Sequence, residues 1–173
     1  MTLTRLPGAR YLWTLLATGC AGITAMSLVL THWLDLHPCH LCIFQRLLFM
    51  ILAALTLVAA WLGPRLAGRL AGLLSLPVAV LGIGVAVYQS WLQAQPAGSV
   101  SCAAGQPGLI EQLVEWLGQQ MPELFLATGF CEDVELTILG LSLANLALLA
   151  FAGILLVAAL ALWWVPRATA RES

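Results

Sequence analysis

The chain has 173 residues, 61% of them apolar and only 9% charged, with a net charge of −1. Soluble domains carry charge on about a quarter of their residues, and a domain of this size cannot bury so apolar a chain by itself. A bilayer must serve as the solvent, and with no lysine and no basic stripe nothing points to nucleic acid.

A spanning helix needs about 20 mostly apolar residues. The first runs over about 11–34, uncharged apart from His32. A signal peptide has a shorter apolar run, about 7–15 residues. Ala17-Thr18-Gly19-Cys20 faintly resembles a lipoprotein cleavage box, but Ala17 stands where a larger aliphatic residue is usual, and the run continues from Ile23 to Leu30. The segment therefore reads as a transmembrane helix, with Cys20 a small buried hydrophobe inside it. An outer loop follows at about 35–42. The second helix, about 43–62, reaches full length only by extending back through Ile43, which places Arg46 inside it. The third covers about 70–92.

A long connection, about 93–135, comes next. Its first part, to Pro107, is rich in Gly, Ser, Ala and Pro, which predicts a mobile tether, and it carries Cys102. Leu109, Ile110, Leu113, Val114 and Leu117 then recur at helical spacing between Glu111, Gln112 and Glu115. That pattern is a short amphipathic helix lying flat on the membrane, or else packed only on protein. The fourth spanning helix covers about 136–165. The expectation is an all-α membrane protein, one domain over 1–173, built as a four-helix bundle with a short amphipathic surface helix in the second outer loop.

Arginines set the orientation. Arg5 and Arg10 precede the first helix, Arg65 and Arg69 link the second and third, and Arg167 and Arg171 follow the fourth. Four crossings put all six on one side, so both termini are cytoplasmic. Asp35, Glu111, Glu115, Glu123, Glu132, Asp133 and Glu135 fall on the other side. Arg46 breaks the pattern. It reads either as a side chain snorkelling to lipid phosphate or as a site residue donating hydrogen bonds to an oxygen-bearing ligand.

Four of the five cysteines lie on the outer, oxidising face: Cys39, Cys42, Cys102 and Cys131. Four cysteines permit three connectivities, and the sequence does not choose; close spacing makes Cys39–Cys42 the natural first pair, which leaves Cys102–Cys131. A C-x-x-C closes a short, easily reduced ring. With the second helix starting at or just after Cys42, its positive dipole end faces that sulfur. Arg46 adds charge one turn on, so Cys42 is the expected thiolate of the pair. A zinc or copper site on His32, His37, Cys39, His40 and Cys42 competes, but it requires reduced cysteines on an oxidising face and leaves Cys102 and Cys131 unexplained. A structural staple normally closes a longer loop, which suits Cys102–Cys131 better than Cys39–Cys42.

The segment Pro38-Cys39-His40-Leu41-Cys42-Ile43-Phe44-Gln45-Arg46 resembles the disulfide bond formation protein B (DsbB) family. Ala127-Thr128-Gly129-Phe130-Cys131 and Leu139-Gly140-Leu141 add weaker matches, and the likeness spans nearly the whole chain. The resemblance implies a quinone-dependent thiol oxidoreductase of the bacterial inner membrane, with its redox loops in the periplasm. It implies that the loop-two disulfide oxidises a DsbA-like thioredoxin-fold partner, with Cys102 forming the mixed disulfide. An inter-loop intermediate would then join Cys39 to Cys131, and Cys42 and Arg46 would meet a bound ubiquinone or menaquinone. Two departures stand out. Where members often carry histidine or arginine near the outer end of the third helix, this chain has Tyr88-Gln89-Ser90-Trp91, and Leu136 or a neighbour replaces a common tryptophan. A vitamin K epoxide reductase-like protein would place its quinone-side C-x-x-C near the last helix of the bundle, whereas here it precedes the second. A metal-binding or metal-transporting membrane protein is the alternative of a different class.

Overall fold

The computed structural model describes residues 7–63, 65–96, 108–131, 133–134, 136–138 and 140–169. Cys102, Arg5, Arg171, Glu132 and Glu135, all named above, lie outside them. In chain order the elements are α1 (Pro7–Trp33), α2 (His40–Leu62), α3 (Leu66–Gln93), α4 (Leu109–Gln120), α5 (Pro122–Phe125), β1 (Thr137–Ile138), β2 (Leu141–Ser142) and α6 (Leu143–Thr169). Four helices are long and apolar enough to cross a membrane, over Ala9–Trp33, His40–Leu62, Leu66–Gln93 and Leu143–Trp163. The expected all-α membrane bundle is present, with the amphipathic helix where its spacing put it.

All four long helices start away from the expected positions: α1 at Pro7 and α3 at Leu66 begin earlier than about 11 and 70, and the other two differ for visible reasons. Helix α2 begins at His40, because Cys39 in extended conformation (φ −80°, ψ 168°) caps it: its sulfur accepts the Cys42 N–H. The cap therefore belongs to Cys39, and Cys42 lies in the first turn rather than ahead of it. Helix α6 begins at Leu143 rather than near 136. Gly140 takes a left-handed φ of 81°, and the flanking residues pair as an antiparallel ladder, Thr137 with Ser142 and Ile138 with Leu141. A helix cannot run through that turn.

The long helices pack in sequence, α1 on α2, α2 on α3 and α3 on α6, while α1 and α6 meet more sparsely than these neighbours. Close approach comes from small residues on α3, where Gly68, Ala71, Gly72, Ser75, Ala79, Gly82 and Ala86 are buried. A Cβ at Gly82 would collide with the ring of Phe151, which stacks on Phe49 with centroids 4.1 Å apart. Threonines in α1 return their hydroxyls to the helix, as Thr24 does to the Cys20 carbonyl at 3.0 Å, so they cost little in an apolar setting. At one end of the bundle the Arg10 guanidinium lies against Gly63 in the α2–α3 turn, beside Arg65, which caps α3. The cysteine loops occupy the other end. There α4 buries Val114 and Gly118 and leaves Leu109, Leu113 and Trp116 exposed.

Candidate active site

The two outer loops are stitched together by backbone. The N–H groups of Thr128 and Gly129 donate to the Pro38 carbonyl at 3.0 and 3.3 Å. Gly129 sits so close to the His37 carbonyl that no Cβ would fit. This docking carries Cys131 to the C-x-x-C, where Cys39 is hydrogen-bonded to it. Both are almost fully buried, at 3% and 1% exposure. Cys39 Sγ also lies 2.9 Å from Cys42 Sγ. Three of the four cysteines expected to react thus form one cluster, and Cys102 lies outside the described residues. Cys20, Cys39 and Cys42 are free thiols. Hydrogen bonding with Cys131, then with Cys42, and burial together push the Cys39 thiol well above its ordinary range. Cys20 is buried in α1, as its apolar surroundings suggested.

Arg46 does not snorkel. It is 4% exposed, because three of its nitrogens bind protein. Its Nε donates to Ser27 Oγ at 3.1 Å, its Nη2 to Thr31 Oγ1 at 2.9 Å and its Nη1 to the Leu124 carbonyl at 2.8 Å. A guanidinium has five N–H donors, so one remains on each terminal nitrogen. One cation thereby ties α1, α2 and the end of α5 together, and the pairing offsets much of the cost of burying it.

Two neutral side chains complete the cluster. Gln89 of α3 places Nε2 3.0 Å from Cys42 Sγ and 3.4 Å from Cys39 Sγ, and its Oε1 accepts from Gln45 Nε2 at 2.8 Å. Neither glutamine was among the residues expected in the site. The available signal was a buried amide on an otherwise apolar helix, since polar groups inside a membrane bundle tend to be functional.

Cys39, Cys42, Gln45, Arg46 and Gln89 all line a cavity of about 650 Å³, which continues along α1 and α6 past Gly22 and Ala147. That volume is typical of small-molecule sites. An apolar trough with hydrogen-bond donors beside sulfur suits a flat ring bearing keto oxygens and an apolar tail. Of the histidines considered for a metal, His40 faces Glu115, with Nε2 3.9 Å from Oε1. Among the described residues no group of three or more His, Cys, Asp or Glu side chains could hold a metal ion.

The family model described as disulfide bond formation protein DsbB matches residues 9–161. The chain is 46% identical to disulfide bond formation protein B of Dechloromonas aromatica (strain RCB) over 146 residues, covering 84% of this chain and 87% of that one. It is 42% identical to disulfide bond formation protein B 2 of Burkholderia lata over 164 residues, covering 91% and 90%. With disulfide bond formation protein B of Azoarcus sp. (strain BH72) it shares 39% over 145 residues, covering 83% and 84%.

Proposed function

This chain belongs to the DsbB family of disulfide bond formation proteins, and on that premise we propose that it reoxidises a DsbA-like, thioredoxin-fold dithiol protein and delivers the electrons to a membrane quinone. The observation that carries the reading is the sulfur cluster of Cys39, Cys42 and Cys131, in which Cys39 and Cys42 line an apolar cavity.

In the oxidised protein Cys102–Cys131 and Cys39–Cys42 are disulfides. A partner thiolate attacks Cys102, giving a mixed disulfide and releasing the Cys131 thiolate. The partner's second thiol resolves that bond, so the partner leaves oxidised and Cys102 and Cys131 are left reduced. Cys131 then attacks Cys39, the neighbour it touches, and the pair of electrons from the broken Cys39–Cys42 bond stays on Cys42. Cys102 closes again on Cys131 and releases Cys39. Arg46 and the cavity walls beside Cys42 would hold a quinone, which would supply the oxidant for the two electrons and two protons of the Cys39/Cys42 dithiol as its disulfide re-forms. Arg46 would hold one quinone oxygen with its two remaining N–H donors, a planar arrangement that lysine lacks. Exclusion of water by the trough protects the thiols while they wait.

The arginine pattern supports cytoplasmic termini in a bacterial inner membrane, with 1–173 one membrane domain and both redox loops in the periplasm. Either ubiquinone or menaquinone meets the chemistry. The test uses purified protein, a reduced thioredoxin-fold dithiol and added quinone: one quinol should appear for each disulfide formed, and Cys42→Ala should stop turnover. Continued turnover in Cys42→Ala, or thiol oxidation indifferent to quinone, defeats the reading.

A further inference from the structure

Gln45 and Gln89 are buried at 5% and 2% exposure, and the cysteine chemistry above makes no use of them. A carboxamide has two donors at one end and an acceptor at the other. Gln45 occupies the acceptor end of Gln89 with a 2.8 Å hydrogen bond, which turns the donor end of Gln89 towards both sulfurs of the C-x-x-C. A sulfur carrying negative charge can only accept, so it meets a donor already in place. An amide neither gains nor loses a proton over the working pH range, and its dipole is therefore constant.

We infer that Gln89 is a further catalytic residue, whose amide N–H groups donate to the Cys42 and Cys39 sulfurs as charge passes between them, and that Gln45 is a positioning residue that keeps that donor end facing sulfur. The inference rests on the redox reading above. When Cys131 attacks Cys39 and the Cys39–Cys42 bond breaks, the electron pair stays on Cys42, the sulfur with the shorter amide contact. Gln89 takes up neither proton nor electron, so the balance of the reaction is unchanged. A neutral donor supplies this stabilisation without adding a charge to the apolar trough.

The experiment is alkylation of the reduced, quinone-free, full-length protein in detergent with N-ethylmaleimide. Cys42 modification is followed by peptide mass spectrometry from about pH 6 to pH 9. Gln89→Met keeps the length of the side chain and removes its donors. It should slow Cys42 alkylation at neutral pH about tenfold, the scale of one hydrogen bond to a charged group, with the gap closing as pH rises. Gln89→His, which restores an N–H donor, should recover most of the rate, and Gln45→Met should give a smaller loss in the same direction. A mere packing role would leave the pH profile in place. A wild-type profile in Gln89→Met, with wild-type melting, overturns the inference for Gln89; a wild-type profile in Gln45→Met overturns the positioning role. Should Gln89→Met fail to fold, a Gln89→His profile displaced as far as that of Gln45→Met, or further, also counts against it. Loss of quinone-dependent turnover in the unmodified protein would defeat the redox reading instead, and the alkylation profiles judge the two glutamines separately from it.

Discussion

Buried among α1, α2 and the end of α5, Arg46 joins structure to chemistry in one side chain. Its bonds to Ser27, Thr31 and Leu124 fix the guanidinium, and its two remaining donors are the ones proposed for a quinone oxygen. Losing a charged hydrogen bond costs about 1.5–3 kcal/mol. Arg46→Ala should therefore raise the Michaelis constant for quinone roughly ten- to a hundredfold and lower the melting temperature, while exchange between Cys102 and the partner persists. Arg46→Lys should recover little of either; unchanged quinone dependence in Arg46→Ala would leave the residue only its structural clamp. Cys39 offers a pH test. Its thiol is held above the ordinary range by Cys131, Cys42 and burial. Below the ordinary thiol range both folded and unfolded chains keep this proton, and stability is unaffected. Above it the unfolded chain ionises and the folded one does not, so stability falls as pH rises. Reduced protein should melt progressively earlier above about pH 8.5, and Cys39→Ser should flatten that decline. Parallel curves for the two proteins would assign the decline to other groups.

Among the elements, the joint between the two outer loops decides whether Cys131 meets Cys39. That joint rests on two backbone hydrogen bonds to Pro38 and on the missing side chain of Gly129. Gly129→Ala forces a methyl group against the His37 carbonyl, and such overpacking costs about 1–3 kcal/mol. The loops should separate, and electron transfer from the loop-two pair to the Cys39–Cys42 pair should slow at least tenfold. Stopped-flow measurement with reduced partner reads this step directly, and wild-type transfer would mean that the loops find each other by another route. Helix α4 packs on α2, buries Val114 and presents Leu109 and Trp116 outward. One stripe of the helix thus packs on protein, and another is left exposed.

For the whole molecule the proposed cycle requires a defined resting state. Non-reducing peptide mapping of the oxidised protein should find Cys39–Cys42 and Cys102–Cys131 bridged and Cys20 as a thiol. Cys131→Ala should trap the partner through Cys102. A bridge involving Cys20, or trapping mainly through Cys39, would break the proposed order of transfer. The sparse meeting of α1 and α6 belongs to this scale as well, because the cavity runs along both helices and so borders the side of the bundle that neighbouring lipid would cover.

Hydropathy, arginine placement and a local motif are properties of short stretches, which is why four membrane-capable helices, the amphipathic α4, the C-x-x-C and the family were legible without coordinates. Helix starts were less so: a cysteine sulfur served as the cap of α2, and a left-handed Gly140 made a ladder where apolar composition alone suggested helix. Contacts between residues far apart in the chain were not legible at all. Cys131 reaches Cys39 through a backbone joint, Gln89 reaches Cys42 across 47 positions, and Arg46 finds the Leu124 carbonyl across 78. Hydrogen bonds at such separations depend on how the helices pack, and that packing depends on small-residue faces whose partners the linear pattern does not name. The sequence therefore determined the membrane fold and the C-x-x-C, while only the tertiary structure decided which groups surround its sulfurs.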